Sequence, residues 1–218
     1  MAKLKREKRR TPSSRAWLER QISDPYVARA KREGLRSRAA FKLAEIDDKY
    51  RLLRPGARVV DLGAAPGGWS EIAVQRVAPH GRVIAIDILE MKPIRGVEFL
   101  QLDFLDATAP ERLRVMLGGK ADIVLSDMAA NASGHRQTDH LRIMALAEAA
   151  ADFARAVLRD GGSFLCKVLQ GGTQAALLSE LKRDFASVKH VKPPASRSGS
   201  AELYLLARGF RGHATKAD

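Results

Sequence analysis

The chain has 218 residues, 45% of them hydrophobic, a single cysteine and a formal net charge of +13. That is enough chain for one compact domain with a short extension, and enough apolar content to bury a core without disulfides. One cysteine, Cys166, excludes an intramolecular disulfide and a cysteine cluster for zinc, and no apolar run approaches the roughly 18 residues of a membrane span.

The charge is unevenly placed. Residues 1–38 hold thirteen Lys/Arg against four acids, so +9 of the +13 sits in this short stretch. A basic arm on a near-neutral domain points to a polyanionic partner, because each neutralised phosphate releases condensed counterions. The first ten residues have no apolar stretch behind their charges and so do not read as a secretory signal. Glu7 and the lack of an apolar helical face argue against a transit peptide, and a cytoplasmic location is expected.

In chain order, a basic tail ends near Thr11-Pro12-Ser13-Ser14, and Trp17, Leu18 and Ile22 suggest a short helix. Asp24-Pro25 opens another segment. Ser37 reads as the N-cap of a helix to about Tyr50, closed by Arg54-Pro55-Gly56. Strands are predicted at 59–62, 82–86, 97–101, 121–126 and 163–168. Helices between them are predicted to run to about Val77, from Pro110 to about Leu117, and over 139–158, the last ended by Asp160-Gly161-Gly162. A helix around 173–185 and strands at 188–191 and 203–207 finish the chain. Strands alternating with helices give a doubly wound, mostly parallel α/β sheet, here of seven strands. The last two strands flank Pro193-Pro194 with no room for a crossover helix, so they are expected to pair as an antiparallel hairpin, the architecture of a Rossmann-like class I methyltransferase. The expected division is a basic extension over 1–36, a catalytic domain over 37–210 and a tail over 211–218.

The strongest local motif is Asp61-Leu62-Gly63-Ala64-Ala65-Pro66-Gly67-Gly68-Trp69-Ser70, between the first strand and its helix. Ligands of such sheets sit beyond the carboxyl ends of the strands, and glycine lets the backbone come close to them. The dinucleotide fingerprint GxGxxG does not fit, and Pro66 stands where a phosphate-cradling loop wants a free N–H. A ligand without phosphates, such as S-adenosylmethionine, suits the loop. Asp87, 24 residues after Gly63, is placed to accept hydrogen bonds from a ribose diol, and Asp103, at the end of the third strand, to meet an adenine amino group. The blander reading is that both carboxylates cap the segments that follow them. Trp69 reads equally as a core aromatic or a cofactor wall.

Four ionisable residues stand at strand ends or in the helix before the sheet: Lys42, Asp127, Lys167 and Glu202. Lys167 interrupts an apolar strand, where a lysine is rarely buried unpaired. Asp127, on the next strand, is its expected partner. A structural ion pair is one account. The other is a site that takes a proton from a poor acid such as a ribose hydroxyl. A lysine does this only when uncharged, a form that burial and a second lysine favour and a nearby carboxylate opposes. Lys42 would then be charge neighbour and donor, and Asp127 and Glu202 would orient the lysines and the ribose.

These segments together resemble the FtsJ-type family of ribosomal RNA large-subunit uridine-2′-O-methyltransferases. The matching residues are Gly34-Leu35-Arg36-Ser37-Arg38 with Phe41-Lys42-Leu43, Asp61 to Ser70, Phe99 to Asp103 with Phe104, Ser126 to Ala129 with Asn131, Gly161 to Lys167, and Glu202 with Tyr204. The resemblance implies a Lys42-Asp127-Lys167-Glu202 catalytic tetrad with Lys167 as proton acceptor. It also implies S-adenosylmethionine contacts at Gly67, Trp69, Asp87, Asp103 and Asp127, beside Gly63 of the loop. It further implies action on a uridine of large-subunit (23S) rRNA, in the A loop of the peptidyl-transferase centre, late in subunit assembly. No metal, no membrane and a monomer are expected. Ala40, Ala130 and Ala201 depart from the family's usual residues and bear on RNA contact beside the site, which Arg36 and Arg38 are expected to guide. Competing readings are a tRNA or mRNA-cap ribose as substrate, a ribosome-assembly factor with incidental methylation, and an NAD-dependent oxidoreductase on a similar sheet.

Overall fold

The computed structural model describes residues 24–130, 134–170 and 175–212. The basic tail, the short helix expected before Asp24, Asn131 and residues 213–218 lie outside the described residues. Seven strands form one sheet in the order β3-β2-β1-β4-β5-β7-β6. They are β1 Arg58–Leu62, β2 Arg82–Asp87, β3 Val97–Gln101, β4 Ala121–Ser126, β5 Leu158–Leu169, β6 Phe185–Val191 and β7 Glu202–Phe210. The helices are α1 Pro25–Arg32, α2 Ala39–Tyr50, α3 Gly68–Val77, α4 Ala109–Leu117, α5 Arg136–Val157 and α6 Ala175–Asp184.

The neighbours from β3 to β5 are parallel, and β7 runs antiparallel to both β5 and β6. The expected hairpin therefore exists, but its second strand inserts inward and makes β6 the edge. Side-chain alternation sorts the sheet onto two cores. Val60, Leu62, Ile84 and Phe164 face α4, α5 and α6. Val59, Val83, Ile123, Leu165 and Tyr204 face α2 and α3.

Two local expectations need correction. Ser37 does not cap α2: the cap position is Arg38, and no side chain bonds there. The Ser37 hydroxyl is buried instead against Gly68, where a Cβ would lie only 2.3 Å from it. Helix α5 ends at Val157 and runs straight into β5, so Asp160-Gly161-Gly162 lies in the strand rather than ending the helix. The extra residues sit in a bulge, where the β4 register jumps from Ala121 opposite Leu158 to Ile123 opposite Ser163, and Gly161 takes φ +76°. Packing runs across residue 36. Ala30 of α1 is buried with Phe41 and Ala195, and Asp24 caps α1 through the Tyr26 N–H at 3.0 Å.

Candidate active site

The carboxyl ends of β1 to β5, with the loops after them, place Gly63, Asp87, Asp103, Asp127 and Lys167, while α2 supplies Lys42 and the start of β7 supplies Glu202. β1 lies between β2 and β4, so the chain winds away in both directions there and leaves a crevice above the strand ends. A cavity of about 600 Å³ opens there, lined by Gly63, Asp87, Asp103 and Asp127 among polar positions and by Ile88, Leu89, Phe104, Leu105 and Leu146 among apolar ones. Gly63 holds φ +78°, and a Cβ on it would lie 2.7 Å from the Met128 side chain, so glycine is required for the loop to pass.

The two aspartates cap the segments that follow them and also line the cavity. Asp87 accepts from the Ala65 N–H at 2.9 Å and the Leu89 N–H at 2.8 Å, and Asp103 accepts from the Leu105 N–H at 2.9 Å. They brace the loops that follow, and they line the cavity. A carboxylate fixed by backbone donors keeps acceptor lone pairs to offer a ligand without reorganising. Trp69 resolves to the core: its Nε1 donates to the Ala39 carbonyl at 2.9 Å, its ring packs on Tyr204, and it does not line the cavity. Gly67 is the φ +108° cap of α3, packed close to Arg36, Met91 and Ile94 and set back from the cavity lining.

The four ionisable residues come together as two ion pairs. Lys167 Nζ donates to the Asp127 backbone carbonyl at 2.6 Å and lies 3.2 Å from its carboxylate. Lys42 Nζ lies 2.6 Å from Glu202 Oε1. Tyr204, fully buried, joins the pairs: its hydroxyl lies 3.0 Å from Asp127 Oδ1 and 3.1 Å from Glu202 Oε1. A hydroxyl has one proton to donate, so the two carboxylates share it. Ser196 donates a further bond to Glu202 at 3.1 Å. Burial and then the charges of Asp127 and Glu202 push the Tyr204 hydroxyl well above its ordinary value, so it remains a donor. Burial opposes the charge on Glu202, yet Lys42 and then Lys167 outweigh it and hold the carboxyl below the usual range.

Tyr204 and Ser196 carry no role that the sequence alone assigns. Tyr204 has a signal, since it stands two residues from Glu202 on one face of a strand and opposite Lys167. Asp61 is a second such group. It is fully buried beneath the glycine loop, and Ser70 donates to it at 2.6 Å. Burial pushes its carboxyl up to about 7, with Ser70 opposing and the charges of Asp127 and Asp87 adding to the rise.

Arg36 and Arg38, the expected RNA guides, are engaged within the chain. Arg36 donates to the Lys92 and Pro93 carbonyls, and Arg38 pairs with Asp24 at 3.0 Å and donates to the Ala195 carbonyl. They shape the rim of the site; neither guanidinium is wholly free to meet phosphate.

Residues 35–210 match the family described as FtsJ-like methyltransferase. The chain belongs to that family. It is 62% identical, over 99% of its length and 86% of the relative's, to a protein of Xanthobacter autotrophicus named ribosomal RNA large subunit methyltransferase E. A relative of the same name from Rhodopseudomonas palustris is 66% identical over 94% of this chain and 87% of its own. Among solved structures, a ribosomal RNA methyltransferase from Plasmodium falciparum superposes with a TM-score of 0.73 at 31% identity, covering 81% of this chain and 99% of that one. A structure from Clostridium thermocellum, at 15% identity and a TM-score of 0.53, shares the fold. The FtsJ-like assignment makes the chain a methyltransferase and excludes the oxidoreductase reading.

Proposed function

We propose that this chain transfers a methyl group from S-adenosylmethionine to a ribose 2′-hydroxyl of large-subunit rRNA, with Lys167 as general base. The observation that carries the reading is Asp127. It lines the large cavity and holds Lys167, so a methyl donor in the cavity and a nucleotide beside the lysine would meet across one side chain. The relatives' shared name supports rRNA as the substrate. A uridine of the A loop, methylated late in assembly, follows from the family resemblance.

The residues fit the donor. Asp87 suits a ribose diol, Asp103 a purine amino group, and Ile88, Leu89, Phe104 and Leu105 offer apolar walls for a flat base. S-adenosylmethionine, when bound, supplies an electrophilic methyl group on a cationic sulfur. As the structure stands, Lys167 donates to the Asp127 backbone carbonyl and pairs with its carboxylate. A cation in the cavity would compete with Lys167 for Asp127, and Lys167 takes a proton only in its uncharged form, its own ammonium proton having passed to solvent. Uncharged Lys167 would take the 2′-proton at Nζ as the 2′-oxygen takes the methyl carbon that S-adenosylmethionine supplies. Glu202, charged and fixed by Lys42, Ser196 and Tyr204, holds the opposite wall and orients the ribose. Holding oxygen and methyl carbon in near-attack geometry is worth up to about 7–11 kcal/mol in favourable cases. Mapping 2′-O-methylation in total RNA from cells with and without the protein tests the reading: one large-subunit ribose should lose its methyl group, and an unchanged map overturns it.

A further inference from the structure

The tetrad occupies one end of the sheet. At the other end, where β4 begins and β7 ends, lies an open cavity of about 310 Å³. Four arginines line it, Arg51, Arg54, Arg159 and Arg208, against one carboxylate, Asp122. Asp122 is already committed, accepting from the Arg58 N–H at 2.8 Å and from the Arg159 guanidinium. Arg51, Arg54 and Arg208 make no side-chain hydrogen bond or ion pair with another described residue. Like charges gathered without a counter-charge repel, and an anion relieves them.

The strand register gives this cluster a specific shape. Arg208 of β7 stands directly opposite Ser163 of β5 on one side and Ser187 of β6 on the other. Residues opposed in this way point to one face, so a guanidinium is flanked by two hydroxyls across three strands. None of the three side chains is spent on another described residue. A forked cation with hydroxyl donors beside it matches the oxygens of a phosphate.

Arg51 adds an independent sign. It closes α2 at φ 53°, and it is the one non-glycine residue with positive φ among the described residues. The cap needs only its backbone N–H, which donates to the Asp47 carbonyl at 2.7 Å. Glycine would supply that bond without the steric cost of a Cβ in the left-handed region. A cation also favours a helix C-terminus, but Lys49 already provides one there.

From these residues we infer a second binding site, for backbone phosphates of the RNA substrate, at the end of the sheet opposite the tetrad. The inference rests on the RNA reading proposed above. The two sites hang on the same elements. Lys42 is in the first turn of α2 and Arg51 at its end, while Glu202 and Arg208 share a face of β7 at a separation of about 20 Å, six residues at ~3.3 Å each. Lys189, exposed on the edge strand β6 and opposite Leu206, stands between them. A short oligonucleotide seated at the tetrad does not reach the arginines; a folded rRNA does, along the β6 edge.

The test measures binding of a short target hairpin and of full-length large-subunit rRNA over a salt series, with methyl transfer to each followed in parallel. The Arg54→Gln/Arg208→Gln double variant should bind the full-length RNA more weakly and lower its log–log salt slope by about 1.5, at about 0.7–0.9 for each phosphate that is no longer neutralised. Its affinity for the hairpin and its methylation of the hairpin should match the wild type. Arg51→Gly should weaken full-length RNA binding while melting no lower than the wild type, which separates a ligand-binding arginine from a structural one. Equal slopes and affinities for full-length RNA in variant and wild type overturn the second site. Equal losses on hairpin and full-length RNA overturn its separation from the tetrad. Wild-type protein that responds at this cavity to inorganic phosphate, with unchanged RNA affinity in the variants, assigns a free anion and overturns the RNA assignment. Failure of the wild type to methylate either RNA counts against the proposed function, while the binding slopes still decide the second site.

Discussion

The two sides of the crevice hold their charged groups in different ways. On the β2–β3 side, Asp87 and Asp103 are fixed by backbone N–H groups of the loops they begin and, for Asp87, of the glycine loop after β1. On the β4–β5–β7 side, Lys167, Asp127, Lys42 and Glu202 are fixed by one another, with Tyr204 joining the pairs. Backbone anchoring suits a wall that presents one fixed acceptor to a tightly held ligand. Side-chain anchoring suits a site where a proton must change hands, because each group can exchange partners as charge moves. On the proposed function this difference divides a binding half from a reacting half, with Asp127 at the seam.

The sharpest test of that division is Lys167→Ala. Methyl transfer should fall by about 10²–10⁴-fold, the usual worth of a general base. S-adenosylmethionine affinity, measured by calorimetry, should be kept; near-normal turnover would remove Lys167 from the reaction. Asp87→Asn should do the reverse. It removes a charged acceptor, so affinity for S-adenosylmethionine should drop about 10–150-fold, equivalent to about 1.5–3 kcal/mol, while turnover at saturating donor changes little. A fall in turnover alone would erase the boundary between the halves.

Tyr204→Phe keeps the buried ring and removes the shared proton. Denaturant unfolding should show a loss of about 1–3 kcal/mol, since two half-buried carboxylates lose the proton they share, and activity should fall with donor affinity unchanged. An unaltered variant would mean that the two ion pairs act independently.

The last expected effect is on stability alone and concerns Asp61, beneath both halves. Its carboxyl, ordinarily near 3.8, is pushed up to about 7 in the folded chain, so the folded state binds the proton more tightly than the unfolded one. The associated stability is fully present below about pH 4 and is lost as pH rises through about 7. Asp61→Asn should therefore gain stability relative to the wild type between about pH 5 and pH 8. A difference independent of pH would show that Asp61 ionises normally.

The binding half is the more legible in the sequence. Asp87 and Asp103 stand at predicted strand ends, and a strand end plus a glycine loop locates a ligand by topology alone. The four tetrad residues are also visible there, yet their pairing is only half so. Lys167 with Asp127 follows from neighbouring strands. Lys42 with Glu202 depends on how α2 crosses the sheet and on β7 inserting beside β5, and no local pattern reports either. Trp69 and Ser37 mislead for a related reason. Each stands at the start of a helix, Trp69 in α3 and Ser37 just before α2, but the close approach of α2 to α3 turns Trp69 toward Ala39 and Ser37 toward Gly68. Tyr204 escapes notice because a tyrosine in an apolar strand reads as packing, and its hydroxyl matters only once two carboxylates are known to meet it.

The inward placement of β7 has a consequence for how the enzyme comes into being. Strands β1 to β5 can line up in the order in which they are synthesised, and the donor cavity comes with them. Glu202 and Tyr204 arrive last, threading between β5 and β6 after nearly everything else has been made. A chain that halts before residue 200 would carry every residue that lines the proposed donor cavity and would lack Glu202 and Tyr204, the two groups that tie the Lys42 pair to the Lys167 pair.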